Sequence, residues 1–138
     1  MKDKDCIFCK INKGEIPSAT IFENSDFKVI LDVSPANRGH ALILTKEHFD
    51  NIFQMDAETA AKLFSLATVV ARAIKDETKC EGMNIVQNNG EVAGQTVFHF
   101  HLHLIPRYTG DTVNVGWKPG EADMEALSEL AQAIRKAI

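Results

Sequence analysis

The stretch Val97–Ile105 constrains this chain most. Histidines stand at 99, 101 and 103, and Phe98, Phe100, Leu102 and Leu104 alternate with them. Strict alternation of this kind predicts a half-buried β-strand. Residues two apart share a face, so His99, His101 and His103 are expected in one row, with neighbours about 6.5–7 Å apart and the Phe and Leu side chains in a core. Imidazole is not a favoured strand side chain, and Thr or Lys serves a solvated face better, so the row points to chemistry. Two chemistries fit. One is metal ligation; the other is a row in which one neutral imidazole attacks while its neighbours carry protons and bind anions. Three same-face positions on a straight strand span about 13 Å, and a metal with bonds of about 2.1 Å collects at most two of them. That geometry disfavours a three-histidine zinc hydrolase and suits an extended anion such as a phosphate chain.

The formal charge of -4 argues against general nucleic-acid binding, which needs a basic face. It leaves room for an anionic small molecule, because a local site overrides net charge. With 138 residues, 45% hydrophobic and 25% charged, the chain is expected to form one domain, 1–138, around a single core. It has no run of about 18 apolar residues, so no membrane span is expected. Met1-Lys2-Asp3-Lys4-Asp5 leads into no apolar signal segment, and a cytoplasmic protein is the expectation. The cysteines are Cys6, Cys9 and Cys80, an odd set that does not describe a disulfide framework.

Cys6 and Cys9 form a C-x-x-C pair. Two thiolates at this spacing can share one metal ion, with the other ligands drawn from far along the chain; the alternative is a pair of half-buried structural thiols. A short helix is expected over about Cys6 to Lys13. Strands are expected over Ala19 to Glu23, Phe27 to Asp32, His40 to Thr45 and Met83 to Gln87. Asp56 reads as the N-cap of a long helix reaching Lys79, with Ala60, Leu63, Phe64, Ala67, Val70, Ala71 and Ile74 as its core stripe and Gly82 as its left-handed terminator. A final helix runs from Asp123 and carries Leu127, Leu130, Ala131, Ile134 and Ile138 on one face. The loop Asn88 to Thr96 holds two glycines and several amide and hydroxyl groups, a composition that lets backbone N–H groups approach an anion. His40 and His48, taken alone, read as surface histidines. Together the elements predict an α+β domain, with about five antiparallel strands, one long helix and a C-terminal helix.

Gly94-Gln95-Thr96-Val97-Phe98-His99-Phe100-His101-Leu102-His103-Leu104-Ile105-Pro106-Arg107 resembles the His-φ-His-φ-His-φ-φ motif of the histidine triad superfamily. Ile7-Phe8, Gly14-Glu15-Ile16-Pro17, Leu31-Asp32-Val33-Ser34-Pro35 and Gly39-His40 resemble that family in order and spacing. The likeness covers about Cys6 to Arg107 and is greatest to the Hint-like nucleotide hydrolases of bacteria. It implies an HIT-like fold and a nucleotide hydrolase or transferase that cleaves nucleoside phosphoramidates, such as AMP conjugates, through a nucleotidyl-histidine intermediate. The attacking residue would be His101, with His103 or Thr96 delivering a proton. His40, Asn88, Thr96, Gln95 and His103 would surround the phosphate, Asp32 would hold the ribose, and Ile7, Phe8, Ile11 and Ile16 would wall a purine base. Some relatives hold a structural zinc, which here implies Cys6, Cys9, His48 and His99, with no metal needed for the chemical step. Relatives are usually homodimers. Pro106-Arg107 and the C-terminal helix depart from the glycine-rich tail common in the Hint branch, and Trp117 is assigned to core or interface packing. Two alternatives stand beside this reading. Gln95-Thr96-Val97 and Ile105-Pro106-Arg107 lean toward a Fhit-like dinucleoside polyphosphate hydrolase, while Asn88 leans toward Hint. A nucleotide-binding adaptor with vestigial activity is the other, against which the intact triad argues.

Overall fold

Hydrophobic patterning sets the strand pairing in the computed structural model, which describes residues 4–138. Met1, Lys2 and Asp3, on which the reading of the N-terminus partly rests, lie outside the described residues. β1 (Thr20–Glu23), β2 (Phe27–Leu31), β3 (Ala41–Thr45), β4 (Gly82–Val86) and β5 (His101–Arg107) form one antiparallel sheet in the order β1-β2-β3-β5-β4. The continuous apolar run of β3 is buried on both faces, as a central strand requires. Alternation then divides the sheet. Val29, Ile43, Leu102 and Leu104 face α2 (Ala57–Thr78), which answers with Leu63, Ala67, Val70 and Ile74. Each Leu, Ile or Val among them contributes about 1.5–3 kcal/mol on burial, so this stripe, more than helix propensity, holds α2 in place. Ile30, Leu42 and Leu44 form the other face, against Phe8 and Ile11 of the short α1 (Ile7–Asn12). The buried Lys28 ammonium donates to the Ile11 carbonyl at 3.0 Å and ties the end of α1 to β2. His101 and His103 pair directly opposite Leu44 and Leu42, which puts them on the face that α1 partly covers.

Several elements differ from the pattern-based reading. Phe64 is 54% exposed, because it lies about 100° around the helix from the buried Leu63. Lys79, at φ 58°, ends α2 in the left-handed conformation and donates its N–H to the Lys75 carbonyl at 2.9 Å. Gly82 instead opens β4, paired with Arg107. β5 starts at His101, so Val97, Phe98 and His99 precede the ladder and Phe98 is 48% exposed, outside the core. The cause is the length of the partner strand. β3 ends at Thr45, whose carbonyl accepts from the Asn12 side chain and lies 2.7 Å from His99 Nε2, so it meets a side chain where a ladder N–H would otherwise be.

α3 (Met124–Ala137) forms from its N-cap Asp123, as its pattern predicts, with Leu127, Leu130 and Ile134 exposed. Trp117 is 85% exposed, which overturns a place in the core. Among the described residues no helix is long and apolar enough to cross a membrane.

Candidate active site

The three histidines of the alternating stretch do not form one row. His99 turns into a cluster with Cys6, Cys9 and His48, whereas His103 joins His40 and Asp32; the ligand atoms of each group lie within 4.8 Å of one another. His101 sits between, with its ring 5.0 Å from that of His103 and 4.9 Å from that of Phe8. The late start of β5, at His101, makes this division, because His99 is free of the pleat that aligns His101 with His103.

Donor chemistry in the first cluster fits a metal ion. Cys6 caps α1 and its Sγ accepts from the Cys9 N–H at 3.3 Å, so one helical turn sets both thiols side by side. His99 Nδ1 lies 3.3 Å from Cys6 Sγ and 3.5 Å from Cys9 Sγ; His48 Nδ1 lies 3.3 Å from Cys9 Sγ and 3.1 Å from His99 Nδ1. Tetrahedral zinc, with bonds of about 2.3 Å to sulfur and about 2.0–2.1 Å to nitrogen, separates S from N by about 3.6 Å and N from N by about 3.3 Å. The outer nitrogens settle the tautomers. His48 Nε2 is 2.9 Å from Asp50 Oδ1, and His99 Nε2 is 2.7 Å from the Thr45 carbonyl. Both acceptors need an N–H, so both Nδ1 lone pairs point inward, as ligation requires. Burial lowers the His99 pKa to about 4, which keeps the ring neutral.

The second group carries the opposite polarity. His101 Nδ1 donates to the His99 carbonyl at 2.7 Å, which leaves the Nε2 lone pair free as a nucleophile. The Ala36 N–H donates to His40 Nδ1 at 2.9 Å. The His40 proton therefore sits on Nε2, 2.9 Å from His103 Nδ1, and His103 holds its own proton on Nε2. Asp32, His40 and His103 also make a donor set of the two-histidine, one-carboxylate type, but the Ala36 amide keeps a proton on the His40 nitrogen that a metal would need. Burial lowers the pKa of all three imidazoles. For His40 it is opposed by the Asp32 carboxylate, and for His101 by the His99 carbonyl. For His103, burial together with the neighbouring His101 and His40 brings it to about 4.

Other expected site residues are distributed unevenly. Asp32 Oδ2 lies 3.6 Å from His40 Nε2, and Oδ1 accepts from the Ser34 N–H. Phe8 is buried edge-on against His101, Ile7 is exposed, and Ile16 packs against the cluster that contains the buried Phe8 and Ile11. Asn88 lies against Gly94, and Thr96 is exposed next to the alternating stretch. Gln95 is buried; its side-chain carbonyl accepts from the Gly90 N–H, and its amide donates to the Asp50 and Val97 carbonyls, bracing the loop that precedes the histidines. Asp50 and the Ala36 amide escape a sequence reading. An acidic residue two positions after His48 was the only available hint of the first, and an alanine amide carries none.

Residues 13–110 match the HIT domain family, and the chain belongs to that family. It is 41% identical over 138 residues to the Bacillus subtilis protein named hit, covering 98% of this chain and 95% of that one. It is 36% identical over 134 residues to the adenosine 5'-monophosphoramidase hnt1 of Schizosaccharomyces pombe, with 96% and 98% covered. Among solved structures, an HIT family protein of Bacillus anthracis superposes with a TM-score of 0.94 at 42% identity, covering 99% of each chain. A zinc-bound histidine triad family protein of Mycobacterium smegmatis superposes with a TM-score of 0.76 at 36% identity, covering 94% of this chain and 97% of that one. Five antiparallel strands with about three helices is the fold these structures share with the chain.

Proposed function

We propose that the protein hydrolyses nucleoside phosphoramidates, with AMP conjugates as the substrate class, through a covalent intermediate on His101. The observation that carries this reading is the hydrogen bond from His101 Nδ1 to the His99 carbonyl, which leaves a bare Nε2 on a buried neutral ring. In the first step the His101 Nε2 lone pair forms a bond to the α-phosphorus, and the bond from phosphorus to the leaving nitrogen breaks. The leaving nitrogen departs as the amine with a proton drawn from solvent, and the neutral His103 Nε2–H, with Thr96 as a second donor near it, hydrogen-bonds to the charge that develops there. The ring that has gained a bond is positively charged, and the His99 carbonyl on Nδ1–H stabilises it. In the second step water attacks phosphorus, one of its protons returns to solvent, and the bond from phosphorus to His101 breaks to release the nucleotide. His40, Asn88 and Thr96 contact the phosphate, Asp32 takes the ribose hydroxyls, and Ile7, Phe8 and Ile16 face a purine base with Ile11 behind them.

A zinc ion held by Cys6, Cys9, His48 and His99 belongs to this proposal as a structural element. It would fasten α1 to the segment before β5. The convergent lone pairs and the zinc-bound relative support it. A homodimer and a cytoplasmic location complete the reading; the exposed apolar side of α3 supports the dimer.

The test is turnover of an adenosine phosphoramidate and of a dinucleoside tetraphosphate by wild type and His101→Ala. The expected result is fast AMP release from the phosphoramidate, reduced on the order of 10³-fold or more in the variant. Preference for the tetraphosphate would transfer the enzyme to the dinucleoside polyphosphate branch. Turnover surviving in a folded His101→Ala variant would remove His101 as the nucleophile.

A further inference from the structure

The direction of the two protons in the His40–His103 pair depends on one backbone amide, that of Ala36, and the loop bearing it is tethered from outside the site. This loop joins β2 to β3. The Asn37 side chain donates to the Pro106 carbonyl at 2.9 Å and to Asp111 Oδ2 at 2.8 Å. Arg107 holds the Asp111 carboxylate through Nε at 2.9 Å and a terminal nitrogen at 2.7 Å. The Tyr108 hydroxyl donates to the Arg38 carbonyl at 2.7 Å. Gly39, at φ +90°, lies so close that an added Cβ would meet Thr78 at 2.8 Å and Pro106 at 3.2 Å. Every one of these polar tethers comes from the far end of β5 and the residues just after it, on the strand that carries His103. Arg107, first, and the Tyr108 amide hold the Asp111 carboxyl well below the usual carboxylate range, so it stays an acceptor.

The geometry points to Asn37 and Tyr108 as positioning residues that fix the tautomers of His40 and His103. The inference rests on the proposed chemistry for its consequence but not for its first test. With the Ala36 N–H in place, His40 must donate from Nε2, His103 must accept at Nδ1, and the His103 Nε2–H is presented to the substrate. If that amide drifts, His40 can hold its proton on Nδ1 and accept from His103. A bare His103 Nε2 would then face the phosphate and have no hydrogen bond to donate. A set of tethers that starts 3 residues beyond His103 in the chain, at Pro106, thereby governs which end of its ring donates.

The experiment uses the metal-loaded full chain labelled with ¹⁵N in the histidine rings. Long-range ¹H–¹⁵N correlation tells bare from protonated ring nitrogens without substrate. In wild type, His40 and His103 are both expected to be bare at Nδ1 and protonated at Nε2. Asn37→Ala should move both rings toward a mixture of tautomers. Asn37→Ser, which keeps one donor, should recover part of the wild-type pattern. With the phosphoramidate, kcat of Asn37→Ala should fall about tenfold while KM stays within about twofold, because the lost donor acts on charge that develops in the transition state. Tyr108→Phe should shift the rings in the same direction by less, and it decides the matter if Asn37→Ala does not fold. Unchanged ring nitrogens in the folded variants, or a protonated His40 Nδ1 in wild type, would overturn the inference. A wild type without phosphoramidate turnover would instead overturn the proposed function, and the ring nitrogens would still judge the tethers.

Discussion

The Cys6–Cys9–His48–His99 cluster and the Asp32–His40–His103 group are built from the same kind of parts and behave as opposites. Each takes one histidine from the stretch 99–103 and one from near β3. In the first, an acceptor faces each outer ring nitrogen: the Asp50 carboxylate for His48 and the Thr45 carbonyl for His99. The protons point outward, and lone pairs converge on a space suited to a cation. In the second, a donor faces the outer nitrogen of His40, so a proton points inward and is handed along to His103. The group is thus suited to an anion. An imidazole is ambivalent until its second nitrogen is engaged, and one neighbouring backbone group decides what it offers.

The largest effect expected from breaking this contrast lies in the cation cluster. Cys9→Ala should abolish stoichiometric zinc and cost about 3 kcal/mol or more of stability. Urea unfolding alongside metal analysis measures both; a variant as stable as wild type, with or without metal, would mean the cluster does not hold the fold. Asp50→Ala removes the outer acceptor of His48 and should weaken zinc binding about 10–100-fold in chelator competition, with the fold retained. Affinity equal to wild type would show that the acceptor does not orient His48.

Acid sharpens the anion side. Burial keeps His103 neutral in the folded chain down to about 4, first by desolvation and then through His101 and His40, whereas an unfolded imidazole takes its proton near about 6.5. Between these values the unfolded chain binds more protons. The stabilising share is therefore complete above about pH 6.5 and is lost as pH falls toward about 4. Urea midpoints across this window should decline less steeply for His103→Asn than for wild type, and parallel declines would show that His103 does not drive the change. The smallest effect is expected from Thr45→Val. It deletes the hydroxyl that donates to the Glu47 carbonyl but leaves the Thr45 carbonyl on His99. Stability should fall by about 1 kcal/mol, with zinc affinity unchanged in the same competition assay.

The sheet and helices were legible because they repeat. Apolar runs place β2 and β3, alternation places β5, and the stripe from Leu63 to Ile74 places α2 with its cap at Asp56. Boundaries were less legible, since they depend on partners. Lys79 ends α2 despite the glycine three residues on, and β5 begins at His101 because the Phe100 N–H donates to the Phe49 carbonyl while the Thr45 carbonyl meets the His99 ring.

The sequence by itself determined the inventory: two thiols one helical turn apart, five imidazoles, the family motif, and the alternation that commits His101 and His103 to one face. Tertiary structure alone decided which way each imidazole points its proton. The groups responsible are the Thr45 carbonyl, the His99 carbonyl, the Ala36 amide and the Asp50 carboxylate. Three of the four are backbone atoms that every residue type possesses. Their effect depends on where the chain brings them, and no pattern of side chains records that.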